Sequence, residues 1–370
     1  MAKAGRLIAV LGIALLAGAV QAETPAWRWR GFMLDEARHF FGKEKVKEYL
    51  DLMASRKMNV FHWHLTDDQG WRIDLPGLPE LVKYGAVRSC SPRRGEEDGD
   101  GKPYGPYFYT ADDIREIVRY AKDRGIDVLP EFDVPGHVRA LLAAHPEFAC
   151  NPQGITRDPR TRWGISDDVL CIGNTQAVEF VERVIDGFCE LFPFPYFHIG
   201  GDECPTVRWR QCPKCRNLTQ AGFTRHLVAY LEKKGRTAIG WDEIAADAEL
   251  PRKTVVQCWR NRTNAVAVVR SGHPVILSPL TETYLSIPPG VKDDPWPYRR
   301  WVLNEKMRIT ADSLRSFDPM KGLPEDVRHL VWGGECCAWT EEMASGEELD
   351  FKVRPRLSAF GEALSRGPSR

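Results

Sequence analysis

The stretch Asn59-Val60-Phe61-His62-Trp63-His64-Leu65-Thr66-Asp67-Asp68 begins as an apolar run of strand length and ends in a burst of charge. The same pattern recurs along the chain. Gly31 to Leu34 runs into Asp35-Glu36-Ala37-Arg38-His39, Val128 to Phe132 into Asp133-Val134-Pro135-Gly136-His137, and Tyr196 to Ile199 into Gly200-Gly201-Asp202-Glu203. Ala238 to Trp241, Val255 to Trp259, Val275 to Leu277 and Leu330 to Trp332 complete a set of eight strand candidates. Stretches with helical spacing lie between them: Lys43 to Arg56, Ala111 to Arg124, Thr175 to Leu191, Gln220 to Lys234 and Asn264 to Arg270. Nearly continuous apolar strands alternating with helices predict a parallel sheet covered on both faces. Eight of them predict an α/β fold of the closed (β/α)8 TIM barrel type, forming a single domain over residues 23–370. A doubly wound open sheet is the alternative, but no glycine-rich phosphate turn follows the first strand. In a barrel the chemistry belongs at the C-terminal strand ends, where these charged residues stand. Such groups are costly to bury without a use.

Composition narrows the function. Lys plus Arg and Asp plus Glu each number 51, a balance that argues against nucleic acid as a partner and for a neutral ligand. Lys3 and Arg6, the apolar stretch Leu7 to Val20 and the small-residue pattern Val20-Gln21-Ala22 read as a signal peptide over 1–22. Cleavage near Ala22 and export, to the periplasm or beyond, are therefore expected, with a retained anchor as the alternative. The apolar core is short for a membrane span, and no later segment is long and apolar enough for one. Ten cysteines make disulfides possible in an exported chain, with Cys150 and Cys171 as the candidate pair. Cys204, Cys212 and Cys215 lie close in sequence, and the CxxC of Cys212 and Cys215 has zinc-ligand spacing; no second CxxC or HxxxH accompanies it, so zinc is the weaker reading. The polar loops Ser91 to Tyr107 and Asn151 to Asp168 read as insertions near a site mouth or as solvated loops.

Asp202 and Glu203 are successive carboxyl groups at a strand end, and in a partly desolvated cleft they cannot both ionise freely. One is expected to hold its proton, which is what a glycosidase needs to protonate a leaving oxygen. Alone, such a pair reads as readily as the first turn of a helix. The surroundings change that. Trp241, Trp259 and Trp339 each follow a separate strand, and their faces suit the apolar faces of sugar rings, although any single Trp could be core. With Arg38, Asp67 and Glu341 as hydroxyl-binding groups they form a carbohydrate pocket. His137 could instead cap a helix, and His62 and His64 read either as site residues or as satisfied barrel histidines facing opposite ways. Asp35 reads as a structural partner at the barrel end; Asp242 and Glu243 have no assigned role.

The motifs RGFMLDEARHF from Arg30, NVFHWHLTDDQGWRI from Asn59, PEFDVPGH from Pro130, FHIGGDEC from Phe197, GWDE from Gly240 and WTE from Trp339 resemble those of glycoside hydrolase family 20, the β-N-acetylhexosaminidases. The resemblance runs from Arg30 to about Leu364. It implies that Glu203 is the general acid and that Asp202 orients the substrate's acetamido group, whose oxygen is the nucleophile. It further implies that Tyr284 hydrogen-bonds that oxygen and that Trp241, Trp259 and Trp339 wall the pocket. Arg38 and Glu341 would grip ring hydroxyls, Asp67 and His137 would form a chain behind the acid, and Asp133 would support His137. The implied partner is a glycan ending in N-acetylhexosamine, and this chemistry needs no metal or organic cofactor.

Two departures stand out. Ser286 occupies a position where the family usually has Asp or Asn reaching the outer hydroxyls, so a 6-substituted sugar such as a sulfated one is expected to be tolerated. The family's frequent small α/β domain ahead of the barrel is absent from this sequence, which leaves the barrel's N-terminal face to be covered otherwise, with a second copy in a homo-oligomer as the candidate. A disaccharide-releasing enzyme on the same scaffold and a catalytically silent carbohydrate-binding barrel are the competing readings. Asp202 and Glu203 with Tyr284 opposite argue against the silent barrel.

Overall fold

The computed structural model describes residues 27–91, 99–292, 294–296 and 306–367. The expected signal peptide over 1–22 lies outside them. Eight parallel strands close into a barrel in sequence order. They are β1 (Trp29–Asp35), β2 (Val60–His64), β3 (Asp127–Glu131), β4 (Tyr196–His198), β5 (Thr237–Trp241), β6 (Val255–Cys258), β7 (Val275–Leu277) and β8 (Val331–Ala338). Closure is through β1 and β8, whose register runs from Trp29 opposite Gly333 to Leu34 opposite Ala338. All eight apolar runs read from the sequence are barrel strands.

Helices pack outside, and their starts follow from local chemistry. Thr110 makes a capping box with Asp113 ahead of Ala111–Lys122, and the side chains of Asn174, Thr219 and Ser345 accept backbone N–H groups at the starts of Thr175–Leu191, Gln220–Lys233 and Gly346–Ser365. Each such cap contributes about 1 kcal/mol. The last of these helices was not evident in the sequence, because Pro355 interrupts its pattern. Its buried Arg356 donates to the carbonyls of Leu285, Ile287 (2.7 Å) and Ile309 (3.1 Å), fixing the loop that follows Tyr284.

The N-terminal end of the barrel is filled from within. Trp29, Val60, Leu129, Ile239, Val255, Ile276 and Trp332 form a compact apolar plug against Phe194 and Tyr196. The Arg28 guanidinium lies 3.6 Å from the centre of the Trp332 ring. These side chains fill the barrel interior at that end.

Candidate active site

Beyond β4 the chain turns through Gly200 (φ +65°) and Gly201 (φ +92°) before reaching Glu203, itself left-handed at φ +42°. A Cβ on Gly200 would lie 1.7 Å from Asp133 Oδ1. Only glycine lets that carboxylate sit beneath the turn, where it accepts the Gly201 N–H at 3.0 Å. The left-handed backbone of Glu203 costs roughly 1–2 kcal/mol. Its result is a division of the pair: the Asp202 side chain is 12% exposed and that of Glu203 36%.

His137, also left-handed at φ +50°, stands behind both. Its Nε2 lies 3.7 Å from Asp202 Oδ2 and 3.6 Å from Glu203 Oε2, and its Nδ1 faces Asp67 Oδ1 at 3.2 Å and Asp68 Oδ2 at 3.5 Å. Asp67 Oδ2 in turn meets Arg38 at 2.8 Å and His64 Nε2 at 2.8 Å. Arg38 donates through Nε to Gln69 (2.9 Å) and approaches Asp35 at 3.4 Å. The fully buried Arg88 donates to the Arg38 carbonyl (2.8 Å) and the Gln69 carbonyl (3.1 Å). Asp35 accepts from the backbone N–H groups of Ala37, Arg38 and Thr340, so it braces the end of β1.

Aromatic rings form the opposite wall. Trp259 stacks with Tyr284 (centroids 6.2 Å apart, 17°), Tyr284 meets Trp339 at 6.1 Å, and Trp339 meets Trp241 at 5.8 Å. Tyr284 is held beside β8 by a bridge to Cys337. Trp241 is buried and donates to Glu131 at 2.8 Å; Trp259 donates to Glu243 at 3.0 Å. Arg38 lies 5.2 Å from the Trp339 ring centre, which joins the two walls.

Glu131 was read only as part of a strand end, yet it is the hub beneath the site. It pairs with His64 Nδ1 and lies 3.2 Å from His62 Nε2 and 3.1 Å from His198 Nδ1, which also accepts the Gly200 N–H. His62 Nδ1 pairs with Glu335 at 2.7 Å. His62 and His64 therefore face the same way, into the barrel, correcting the expectation that they face opposite ways. Residues two apart on a strand share a face.

Burial sets the electrostatics. It pushes the Asp202 carboxyl well above its ordinary range, reinforced by the negative charges of Asp133 and Glu203. Burial likewise raises Asp133 to about 7, Glu341 to about 7 against the pull of Arg38, and Glu243 to about 8. For His137 burial works toward neutrality, but Asp67, Asp68 and Glu203 together hold it well above the ordinary imidazole range. Burial would also raise Asp67, but Arg38 and His137 keep it below its ordinary value. Asp202 Oδ1 and Trp339 Nε1 are among the buried side-chain atoms of the described residues that have no hydrogen-bond partner, as are Asp68 Oδ2, His137 Nδ1 and Asp242 Oδ2.

The residues expected in the site thus gather in two arcs. Arg38, Asp67, Asp133, His137, Asp202 and Glu203 form one; Trp241, Trp259, Tyr284 and Trp339 form the other. Glu341 acts electrostatically on Arg38, and half-buried Ser286 follows Leu285 in the loop that Arg356 holds. The loop Asn151 to Asp168 crosses the rim: Arg160 N–H donates to the Asp68 carbonyl (2.8 Å) and Gln69 donates to the Arg162 carbonyl (2.9 Å). The cysteines are redistributed. Cys150 and Cys171 are free thiols that gather with Cys212 and Cys215, and Cys204 is not one of that group.

The profile of the glycosyl hydrolase family 20 catalytic domain matches residues 27–366. The chain is 38% identical over 357 residues to a beta-hexosaminidase of Porphyromonas gingivalis, covering 92% of this chain and 43% of that one. It is 34% identical over 358 residues to a beta-hexosaminidase of Akkermansia muciniphila, covering 93% and 69%. Among solved structures it is similar to a beta-N-acetylhexosaminidase at a TM-score of 0.82 and 32% identity, over 92% of this chain and 72% of that one. The exo beta-N-acetylglucosaminidase of Vibrio harveyi, solved with N-acetylglucosamine, superposes at 0.80 with 30% identity, over 93% and 55%. The chain spans about half the length of the first curated relatives it matches, 43% and 56%.

Proposed function

Because this chain belongs to glycosyl hydrolase family 20, we propose that it is a retaining exo-β-N-acetylhexosaminidase that uses its substrate's acetamido group as the nucleophile. The observation that carries the reading is Asp202 Oδ1, a buried carboxylate oxygen without a donor, beside the more exposed Glu203 and facing an aromatic wall. An acetamido N–H is the donor such an oxygen lacks. Receiving it favours the ionised carboxylate, offsetting the burial that raises Asp202 in the free site. The acetamido oxygen, oriented by the Tyr284 hydroxyl, attacks the anomeric carbon as Glu203 gives its proton to the departing oxygen. The new carbon–oxygen bond closes an oxazolinium ring. Water then opens it, returning a proton to Glu203, and two inversions give retention.

His137 and Asp67 act as positioning residues behind the acid, and Asp133 holds the turn that aims it. Arg38 and Glu341 bind ring hydroxyls, and Trp241, Trp259 and Trp339 enclose the sugar. The loop crossing the rim over Asp68 and Gln69 supports release of a single terminal sugar. Ser286 supports tolerance of a 6-sulfated sugar; turnover of that sugar no better than of the plain one would remove this part. Export with cleavage near Ala22 is proposed from the Leu7 to Val20 stretch, and no helix among the described residues is long and apolar enough to cross a membrane.

The test compares aryl N-acetyl-β-glucosaminide, aryl N-acetyl-β-galactosaminide and the plain aryl glucoside, each with the wild type and Glu203→Gln. Substrate assistance predicts fast turnover of both acetamido sugars, little of the glucoside, and loss in the variant. Equal turnover of the glucoside would falsify it.

A further inference from the structure

Four cysteines from two separate loops meet beside the site. Cys150 and Cys171 flank the loop that follows β3, and an antiparallel bridge between Ala149 and Leu170 sets them side by side. Cys212 and Cys215 lie in the loop that follows β4, on the turn Cys212-Pro213-Lys214-Cys215, where the Cys215 N–H donates to the Cys212 carbonyl (3.1 Å). The sulfur separations are 3.5 Å for Cys171 to Cys215, 3.7 Å for Cys150 to Cys215 and 3.9 Å for Cys171 to Cys212. A disulfide is about 2.05 Å long and joins two sulfurs to the exclusion of others. Cys215 is nearly equidistant from Cys150 and Cys171, and Cys171 lies close to Cys150, Cys212 and Cys215 alike, so each of these sulfurs has more than one neighbour. Four sulfurs around a tetrahedral zinc at about 2.3 Å would be separated by about 3.8 Å, the edge of that tetrahedron.

The surroundings fit a closed metal site. Cys171, Cys212 and Cys215 are 3%, 6% and 0% exposed. The Gly173 N–H points at Cys215 Sγ from 3.3 Å, a contact that stabilises a ligating thiolate. A Cβ at Gly173 would fall 2.1 Å from the Lys214 carbonyl, so glycine is what allows the two loops to approach this closely. Trp209 donating to the Leu170 carbonyl (2.8 Å) and Arg208 pairing with Asp168 (3.0 Å) tie the same two loops outside the cluster.

We propose that Cys150, Cys171, Cys212 and Cys215 bind one structural zinc ion that fastens the loop after β3 to the loop carrying Asp202 and Glu203. The four thiols release their protons to solvent on binding, and zinc undergoes no redox change. With all four positions taken by sulfur the ion has no open site for substrate. Its work is mechanical: it closes the base of the loop Asn151 to Asp168, whose tip crosses the site rim at Asp68 and Gln69.

The test is metal analysis and cysteine mapping on the full chain, purified without chelator from zinc-supplemented cells. One zinc per chain is expected, with these four thiols unreactive toward a thiol reagent until a strong chelator or mercurial removes the metal. Chelation should also open the segment 151–168 to limited proteolysis, and added zinc should close it again. Cys204→Ser is expected to retain the ion and Cys215→Ser to lose it; should the latter fail to fold, the wild-type measurements decide. Recovery of the four cysteines as cystines, four reactive thiols on a folded zinc-exposed chain, or iron in place of zinc would each overturn the proposal.

Discussion

Two sets of carboxylates share this barrel, one within it and one at its mouth. Glu131 and Glu335 are fully buried and saturated: Glu131 meets three imidazoles and the Trp241 N–H, and Glu335 meets His62, Trp29 and Gln257. Burial would push Glu131 up, but the charges of His64, His198 and His62 hold it well below its ordinary range. Asp202 is buried too, yet its nearest charged neighbours include Asp133 and Glu203, and one of its oxygens has no donor among the described residues. Burial alone does not mark reactivity. An unfilled hydrogen-bonding position beside a like charge does, because the protein has kept that position for something else.

The comparison breaks if the mouth carboxylates can be neutralised without kinetic consequence. Glu203→Gln is expected to lose ~10²–10⁴-fold in kcat on an N-acetylhexosaminide while keeping the wild-type unfolding midpoint. Glu131→Gln should do the reverse in kind, destabilising the fold by about 3–5 kcal/mol in urea titration, because it leaves imidazoles buried without their counter-charge. A Glu131 variant as stable as the wild type would show that saturation is not structural.

Glu36 sharpens the contrast. It accepts from Tyr109, Trp63 and the Phe41 N–H, yet burial still raises it to about 7 from 4.5, since its donors are neutral where those of Glu131 are imidazoles. A carboxyl raised in the folded state favours folding fully below the unfolded value, and that contribution is lost as pH climbs through the folded one. Between pH 4.5 and about 7 its part of the stability should therefore fall, by ~3 kcal/mol at most. Denaturation of wild type against Glu36→Gln across that window measures it; parallel curves would count against the assignment. Tyr284→Phe should cost least, about 1.5–3 kcal/mol of transition-state stabilisation, read in kcat with the Tm unchanged.

All eight strands were legible as apolar runs alternating with stretches of helical spacing, and the first four end in charge, the mark of a buried parallel strand opening onto a site. The mouth residues were legible for the same reason. Glu131 was not, since its meaning lies in imidazoles supplied by β2 and β4, and one strand read alone cannot show its neighbours. Arg356 was hidden in a helix masked by Pro355, and Arg88 in a loop with no periodicity. The cysteine grouping failed instructively: closeness in sequence suggested Cys204 with Cys212 and Cys215, whereas the bridge between Ala149 and Leu170 brings in Cys150 and Cys171 from far upstream.

Asp67 touches Arg38 and His64 with one oxygen and faces His137 with the other. A ligand that draws the guanidinium away therefore leaves the Asp67 carboxylate less neutralised and tightens its hold on His137, which alters the footing of Glu203. A sugar with the wrong hydroxyl arrangement would still be held by the aromatic walls, yet it would meet a mistuned acid. Under the proposed reaction, discrimination among sugars should then appear as slow turnover of occupied enzyme more than as failure to bind, and poor substrates should act as competitive inhibitors.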